Sequence, residues 1–324
     1  MKAIQIRETG GPEVLQLVDL PIPVPGPGQV LIRVESVGMN FIEIYFRKGQ
    51  YKATLPMTPG SEAAGTVEEC GPGVNGCGFK PGDTVAAVGV LGSYAEYALV
   101  PAAQLIKVPD GVTPEQAAAA MLQGMTAHYL AYSTWPLKSG ETCLIHAGAG
   151  GVGLLLTQMA AKIGARVITT VSTEEKAELS REAGASDVIV YSQQDFVAEV
   201  KRLTNNKGVD VVYDSVGKTT FDGSLNCLRP RGLMALFGGS SGAVPPFDLI
   251  QLSGKGSLFL TRPTLWHYIS TRDELEKRAG DVLNWVKSGD LKLRMEHMYP
   301  LTEAGQAQSD MENRRTTGKI LLEP

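Results

Sequence analysis

Leu144-Ile145-His146-Ala147-Gly148-Ala149-Gly150-Gly151-Val152-Gly153 is the stretch that decides the fold. An apolar run passes into glycines, and a helical pattern over 152–163 opens at once. The spacing Gly148-x-Gly150-x-x-Gly153 fits a strand, a tight turn and a helix whose N-terminus offers free N–H groups and a partial positive charge. A pyrophosphate is the ligand that such a turn suits. Gly150, Gly151, Val152 and Gly153 are its expected contacts.

Working outward, strand-like runs at 166–171, 187–191, 209–214 and 233–237 alternate with helix-like runs at 176–183 and 196–203. Strands separated by helical patterns imply βαβ units, and hence a doubly wound parallel sheet of Rossmann type. The expected nucleotide-binding domain covers 122–260. Residues 1–121 have another rhythm. Short apolar segments such as Val30-Leu31-Ile32-Arg33-Val34 are punctuated by Gly and Pro, as in a β-rich domain. Pro21-Ile22-Pro23-Val24-Pro25-Gly26-Pro27-Gly28 is an extended connection, since proline suits neither a helix interior nor a central strand. The segment 261–324, with a helix at 273–288 and a last strand at 319–322, is too short to form a domain and is expected to return to the first one.

The chain has 324 residues, more than a single core readily serves, so two domains are expected. Thirty Lys and Arg oppose 34 Asp and Glu, a net charge of −4, which argues against a nucleic-acid footprint. No apolar run reaches membrane length, and the longest, 117–132, is interrupted by Gln123 and His128. Cys70, Cys77, Cys143 and Cys227 are sparse and lack metal-type pairing, so they read as reduced thiols of a cytoplasmic protein.

An NAD site usually ends its second strand with a carboxylate for the ribose 2′-hydroxyl. Here that strand ends Thr169-Thr170-Val171-Ser172-Thr173, and Lys176 follows one turn later. Ser172 and Lys176 therefore suit a 2′-phosphate, and NADPH is the expected cofactor. Glu174 and Glu175 read as first-turn residues favoured by the helix dipole.

With Gly60-Ser61-Glu62-Ala63-Ala64-Gly65, Asn40-Phe41-Ile42-Glu43-x-Tyr45, Tyr213-Asp214-Ser215-Val216-Gly217 and Phe237-Gly238-Gly239-Ser240-Ser241-Gly242, the chain resembles the medium-chain dehydrogenase/reductase superfamily. It is most similar there to the zinc-free quinone oxidoreductases of the zeta-crystallin type. The resemblance runs from Gly10-Gly11-Pro12-Glu13-Val14 through Thr261-Arg262-Pro263 to Gly318. It departs at Ala161, where the family usually has Lys or Arg and Lys162 lies alongside. The resemblance implies a GroES-like catalytic domain before the Rossmann domain, and cofactor contacts from Tyr45, Thr126, Tyr191, Ser215, Phe237, Gly238, Gly239, Ser240, Phe259, Thr261 and Arg314. It also implies a homodimer joined at the edges of the Rossmann sheets.

Zinc-dependent relatives use Cys, His and Cys where this chain has Asn40, Ser61 and Leu122. Those three cannot make a nitrogen/sulfur site, and no metal is expected. Without a Lewis acid, a quinone is a suitable hydride acceptor, because its reduced form is an aromatic anion that hydrogen bonds stabilise. Asn40 and Tyr45 are the candidate catalytic residues. Two alternatives stand: reduction of an activated C=C bond with Tyr45 as proton donor, and a non-catalytic protein that binds NADPH or nucleic acid.

Overall fold

The computed structural model describes residues 1–74, 78–89 and 92–324, so Cys77 lies outside the described residues. The β-branched, glycine-punctuated N-terminal region forms strands β1 (Lys2–Gln5), β2 (Gln16–Asp19), β3 (Gln29–Gly38), β4 (Glu62–Cys70), β5 (Thr84–Val88), β6 (Tyr97–Pro101) and β7 (Leu105–Lys107). Helix α1 (Phe41–Arg47) follows β3, and the alanine-rich α2 (Pro114–Tyr129) follows β7. A π-helical turn, Leu130–Thr134, continues from α2.

The alternating region forms β8 (Thr142–His146), α3 (Gly151–Ile163), β9 (Arg166–Val171), α4 (Glu174–Glu182), β10 (Asp187–Val190) and α5 (Phe196–Leu203). It continues with β11 (Val209–Asp214), α6 (Phe221–Cys227), β12 (Leu228–Leu236), α7 (Ile250–Gly254), β13 (Phe259–Thr261) and α8 (Leu265–Tyr268). Last come α9 (Arg272–Ser288), β14 (His297–Pro300), α10 (Ala304–Glu312) and β15 (Ile320–Glu323).

Two compact units result. One comprises Met1–Met125 with Ile269–Pro324, the other Thr126–Tyr268. In the first, a sheet runs β14-β15-β3-β4-β5-β7, with β6 also paired to β3. The C-terminal segment enters it because β15 pairs antiparallel with β3, and Ile320 and Leu322 share a core with Val30, Ile32 and Val37. In the second unit, six parallel strands lie in the order β10-β9-β8-β11-β12-β13. That is the doubly wound order 3-2-1-4-5-6. The division falls at 125/126 and 268/269, a few residues beyond the expected 121/122 and 260/261. The cause is local: β13 pairs with β12, and Tyr268 stacks on Tyr129 at 4.2 Å and bonds Thr134 at 2.9 Å.

Among the described residues no helix is long and apolar enough to cross a membrane. Cys70, Cys143 and Cys227 are in no disulfide.

Candidate active site

In the Rossmann unit the fingerprint is built by close approach. The turn after β8 places Ala147 at φ 54°, a left-handed conformation uncommon for a residue with a side chain. Its carbonyl accepts from Gly150 N–H at 2.9 Å. A Cβ on Gly153 would lie 2.2 Å from that same oxygen, and one on Gly148 would lie 2.6 Å from Thr169 Cβ. Only glycine lets the helix start this near the strand. Gly150 caps α3 with extended backbone and no side-chain acceptor, so the first turn is left to an outside anion. The residues present fit a dinucleotide pyrophosphate.

A buried network supports this rim. His146 Nδ1 lies 2.8 Å from Thr170 Oγ1, and its Nε2 lies 3.0 Å from Ser224 Oγ. Ser224 donates to Asp214 at 2.8 Å. Its proton is thus used, so it accepts from Nε2–H, and Nδ1 accepts from Thr170. Burial holds the imidazole pKa down, against the pull of Asp214, which suits this neutral form. Asp214 also accepts from the N–H groups of Val216 and Gly217 at 2.7 and 3.0 Å, fixing the loop that carries Ser215. Ser240 N–H bonds Ser215 O at 3.2 Å, which ties the Phe237–Ser240 segment to that loop.

The second-strand tip has no carboxylate free for a ribose. Glu174 pairs with Arg181, and the Thr173 hydroxyl holds the Glu175 carboxyl below its ordinary range. Tyr191 N–H bonds Val171 O at 3.0 Å, and Ser192 Oγ bonds Ser172 O at 2.8 Å. Ser172 and Tyr191 thus stand at neighbouring strand tips, with Lys176 on the first turn of α4. Gly150–Gly153, Ser172, Tyr191, Ser215 and Phe237–Ser240 all follow carboxyl ends of parallel strands, where such sheets bind ligands. Thr126 is buried in α2, Phe259 and Thr261 lie on edge strand β13, and the Phe259 ring is exposed.

In the other unit Asn40 is the N-cap of α1, and Tyr45 lies on that helix, half-buried. Rings of Phe41 and Tyr51 stand 6.3 and 5.3 Å from Tyr45. The Asn40 amide is fully engaged by protein. Its Nδ2 donates to Gly38 O and Glu62 Oε2, each at 3.0 Å, and its Oδ1 accepts from Gln123 at 3.2 Å and Lys319 at 3.0 Å. Glu43, wholly buried, accepts from Asn40 N–H at 2.7 Å and Ser61 N–H at 3.0 Å. Burial pushes its carboxyl up to about 7, against the opposing pull of Lys319. Arg314 is exposed, in a left-handed turn after α10.

Glu43, Glu62, Gln123 and Lys319 are not among the residues expected from the sequence. Asn40-x-x-Glu43 has the capping-box spacing that would have exposed Glu43. Nothing local marks Lys319, whose partners are 257 and 279 residues away. Among the described residues no three His, Cys, Asp or Glu side chains gather in a way that holds a metal ion.

The family described as "Alcohol dehydrogenase GroES-like domain" matches residues 26–110, and that described as "Zinc-binding dehydrogenase" matches 151–280. With the two units above, these define a medium-chain dehydrogenase/reductase. The chain is 45% identical to a quinone oxidoreductase of Pseudomonas aeruginosa, over 100% of this chain and 99% of the relative. The structure of Escherichia coli quinone oxidoreductase in complex with NADPH matches with a TM-score of 0.97 and 41% identity, over 100% of both chains. A 2-haloacrylate reductase of a Burkholderia species is 44% identical over 99% of this chain and 98% of its own. The chain belongs to the quinone oxidoreductase family of that superfamily.

Proposed function

We infer that this protein reduces quinones with NADPH, using hydrogen bonds to receive the developing negative charge. The observation that carries the reading is the content of the reacting end. Asn40, Ser61 and Leu122 stand where zinc-dependent relatives bind metal, and a buried ammonium bonds Asn40 Oδ1. That donor set does not suit zinc. When bound, NADPH supplies the hydride. Gly150, Gly151, Val152 and Gly153 hold the pyrophosphate, and Ser172, Lys176 and Tyr191 hold the 2′-phosphate. Thr126, Ser215, Phe237–Ser240, Phe259, Thr261 and Arg314 supply the remaining contacts. Tyr45 donates a hydrogen bond to the quinone oxygen, and the rings of Phe41 and Tyr51 give a flat acceptor an aromatic surface. Asn40, its amide already saturated, positions α1 instead of touching substrate.

The test is NADPH oxidation with a panel of small quinones and simple alcohols, before and after extensive chelation. Rapid quinone reduction that survives chelation, with no alcohol oxidation, is expected. Alcohol oxidation abolished by chelation would overturn the reading. A second reading, reduction of an activated C=C bond, is favoured by the 44% identity to the 2-haloacrylate reductase and by a tyrosine hydroxyl on α1. NADPH oxidation by a 2-haloacrylate separates it.

The proposed assembly is a homodimer through β13, an edge strand whose Phe259 is 59% exposed. The proposed compartment is the reducing cytoplasm. Burial pushes the Cys143 and Cys227 thiols up to about 12, as structural thiols require.

A further inference from the structure

We propose that Lys319 is a positioning residue for quinone reduction: its buried ammonium locks Asn40 and Glu62 together and so fixes helix α1, which carries Tyr45. The role rests on the quinone-reductase reading and deepens it. The Lys319 side chain is 3% exposed and that of Glu62 is 0% exposed, and the two form an ion pair. The same ammonium donates to Asn40 Oδ1 at 3.0 Å. Lys319 is anchored just before β15 by its own N–H, which bonds Arg294 O at 2.8 Å.

Four distant segments meet in this knot. Asn40 begins α1, Glu62 begins β4, Leu122 and Gln123 lie within α2, and Lys319 precedes β15. Glu62 Oε1 accepts from Leu122 N–H at 2.5 Å, while its Oε2 serves both Asn40 and Lys319. The closeness is built in, since a Cβ on Gly38 would lie 2.3 Å from both Glu62 Oε2 and Ala118 O. The Asn40 amide has one allowed orientation: its oxygen faces two donors, and its nitrogen faces two acceptors. Removing the ammonium leaves a buried carboxylate uncompensated and the amide oxygen short of a partner, so the helix start loses its fixed place. Lys319 reaches the reaction only through Asn40 and α1.

Lys319→Met alone risks misfolding, because buried Glu62 is left without its cation. The experiment therefore compares Lys319→Arg with the double variant Lys319→Met/Glu62→Gln, which removes both charges. Each is checked by circular dichroism, by NADPH titration, by steady-state kinetics with p-benzoquinone, and by hydrogen exchange of the peptide spanning 40–51. The double variant is expected to bind NADPH as the parent does, while kcat falls about ten- to a hundredfold. Exchange over 40–51 should rise at least severalfold, with 151–163 unchanged. Lys319→Arg should restore most of the turnover and protection. A folded double variant with parental kcat, or with unchanged exchange over 40–51, overturns the proposal. So does a variant that raises only the quinone KM, since the ammonium would then be binding substrate. Should the parent itself reduce no quinone, the quinone reading fails, and the exchange measurement alone decides the role of Lys319.

Discussion

Lys176, Tyr45 and Glu43 each lend themselves to a single substitution. Lys176 stands on the first turn of α4, beyond β9, whose end at Val171 is followed by Ser172 and Thr173. A charge-assisted bond from its ammonium to a 2′-phosphate contributes about 1.5–3 kcal/mol. Lys176→Ala should therefore weaken NADPH about ten- to a hundredfold and leave NADH unchanged, as read by fluorescence titration. Equal weakening of both would reduce Lys176 to a helix residue. Tyr45→Phe removes one hydroxyl and keeps the ring against Phe41 and Tyr51. Turnover of quinone should fall about tenfold or more with NADPH affinity intact. Lost cofactor affinity at parental kcat would make Tyr45 a clamp. Glu43 gives a pH signature. Its carboxyl rises from an ordinary 4.5 to about 7 because it is buried. Between those values the native state holds a proton that the unfolded chain has released, so stability falls as pH rises. The loss is about 3 kcal/mol by pH 8. Glu43→Gln should flatten denaturant-derived stability from pH 5 to 8, and an unchanged slope would remove Glu43 as its source.

At the scale of elements, the Rossmann unit is legible in the sequence because its strands are buried on both faces and read as continuous apolar runs. Strands Thr142–His146, Arg166–Val171 and Val209–Asp214 fall where the pattern puts them, as does helix Phe196–Leu203. Strand β12 is longer than the apolar run at 233–237 that marks it. Pro230 and Gly232 look like a turn, yet the chain continues as strand from Leu228 through a bulge against β11. The Asn40 knot is far less legible, because its members come from four segments that only the folded sheet brings together. Tyr45 is expected from the family pattern, whereas Lys319 reads in sequence as the polar start of an apolar strand. The glycines give a paired test. Gly153→Ala drives a Cβ into Ala147 O, backbone that cannot swing aside, and should cost about 1–3 kcal/mol along with NADPH affinity. Gly280 lies within α9, and a methyl group added there would meet nothing within 4 Å, so Gly280→Ala should stabilise by about 0.5–1 kcal/mol. Thermal melts with and without NADPH check both. A harmless Gly153→Ala would contradict the close-approach account of the fingerprint.

At the scale of the whole molecule, the edge of the parallel sheet is the feature that calls for a partner. Strand β13 is short and carries no charge, and Leu249 and Ile250, just upstream of it, are 70% and 71% exposed. Native edges are normally protected by charge, proline or cover, and Phe259, Leu260 and Thr261 supply neither charge nor proline. A second copy related by a two-fold axis would pair β13 with β13 and join two six-stranded sheets into one. Sedimentation at micromolar concentration should then give twice the mass of one chain. Leu249→Glu with Ile250→Glu, which puts two charges on the exposed apolar surface at the start of α7, should shift the equilibrium to monomer. The shift also tests Phe259 as a cofactor contact. NADPH affinity that is the same in dimer and monomer would detach the Phe259 contact from the pairing of β13. If the Phe259 ring reaches the cofactor while β13 pairs through backbone alone, dissociation frees the strand end and NADPH affinity falls with it. A parent protein that sediments as a monomer would end the dimer assignment.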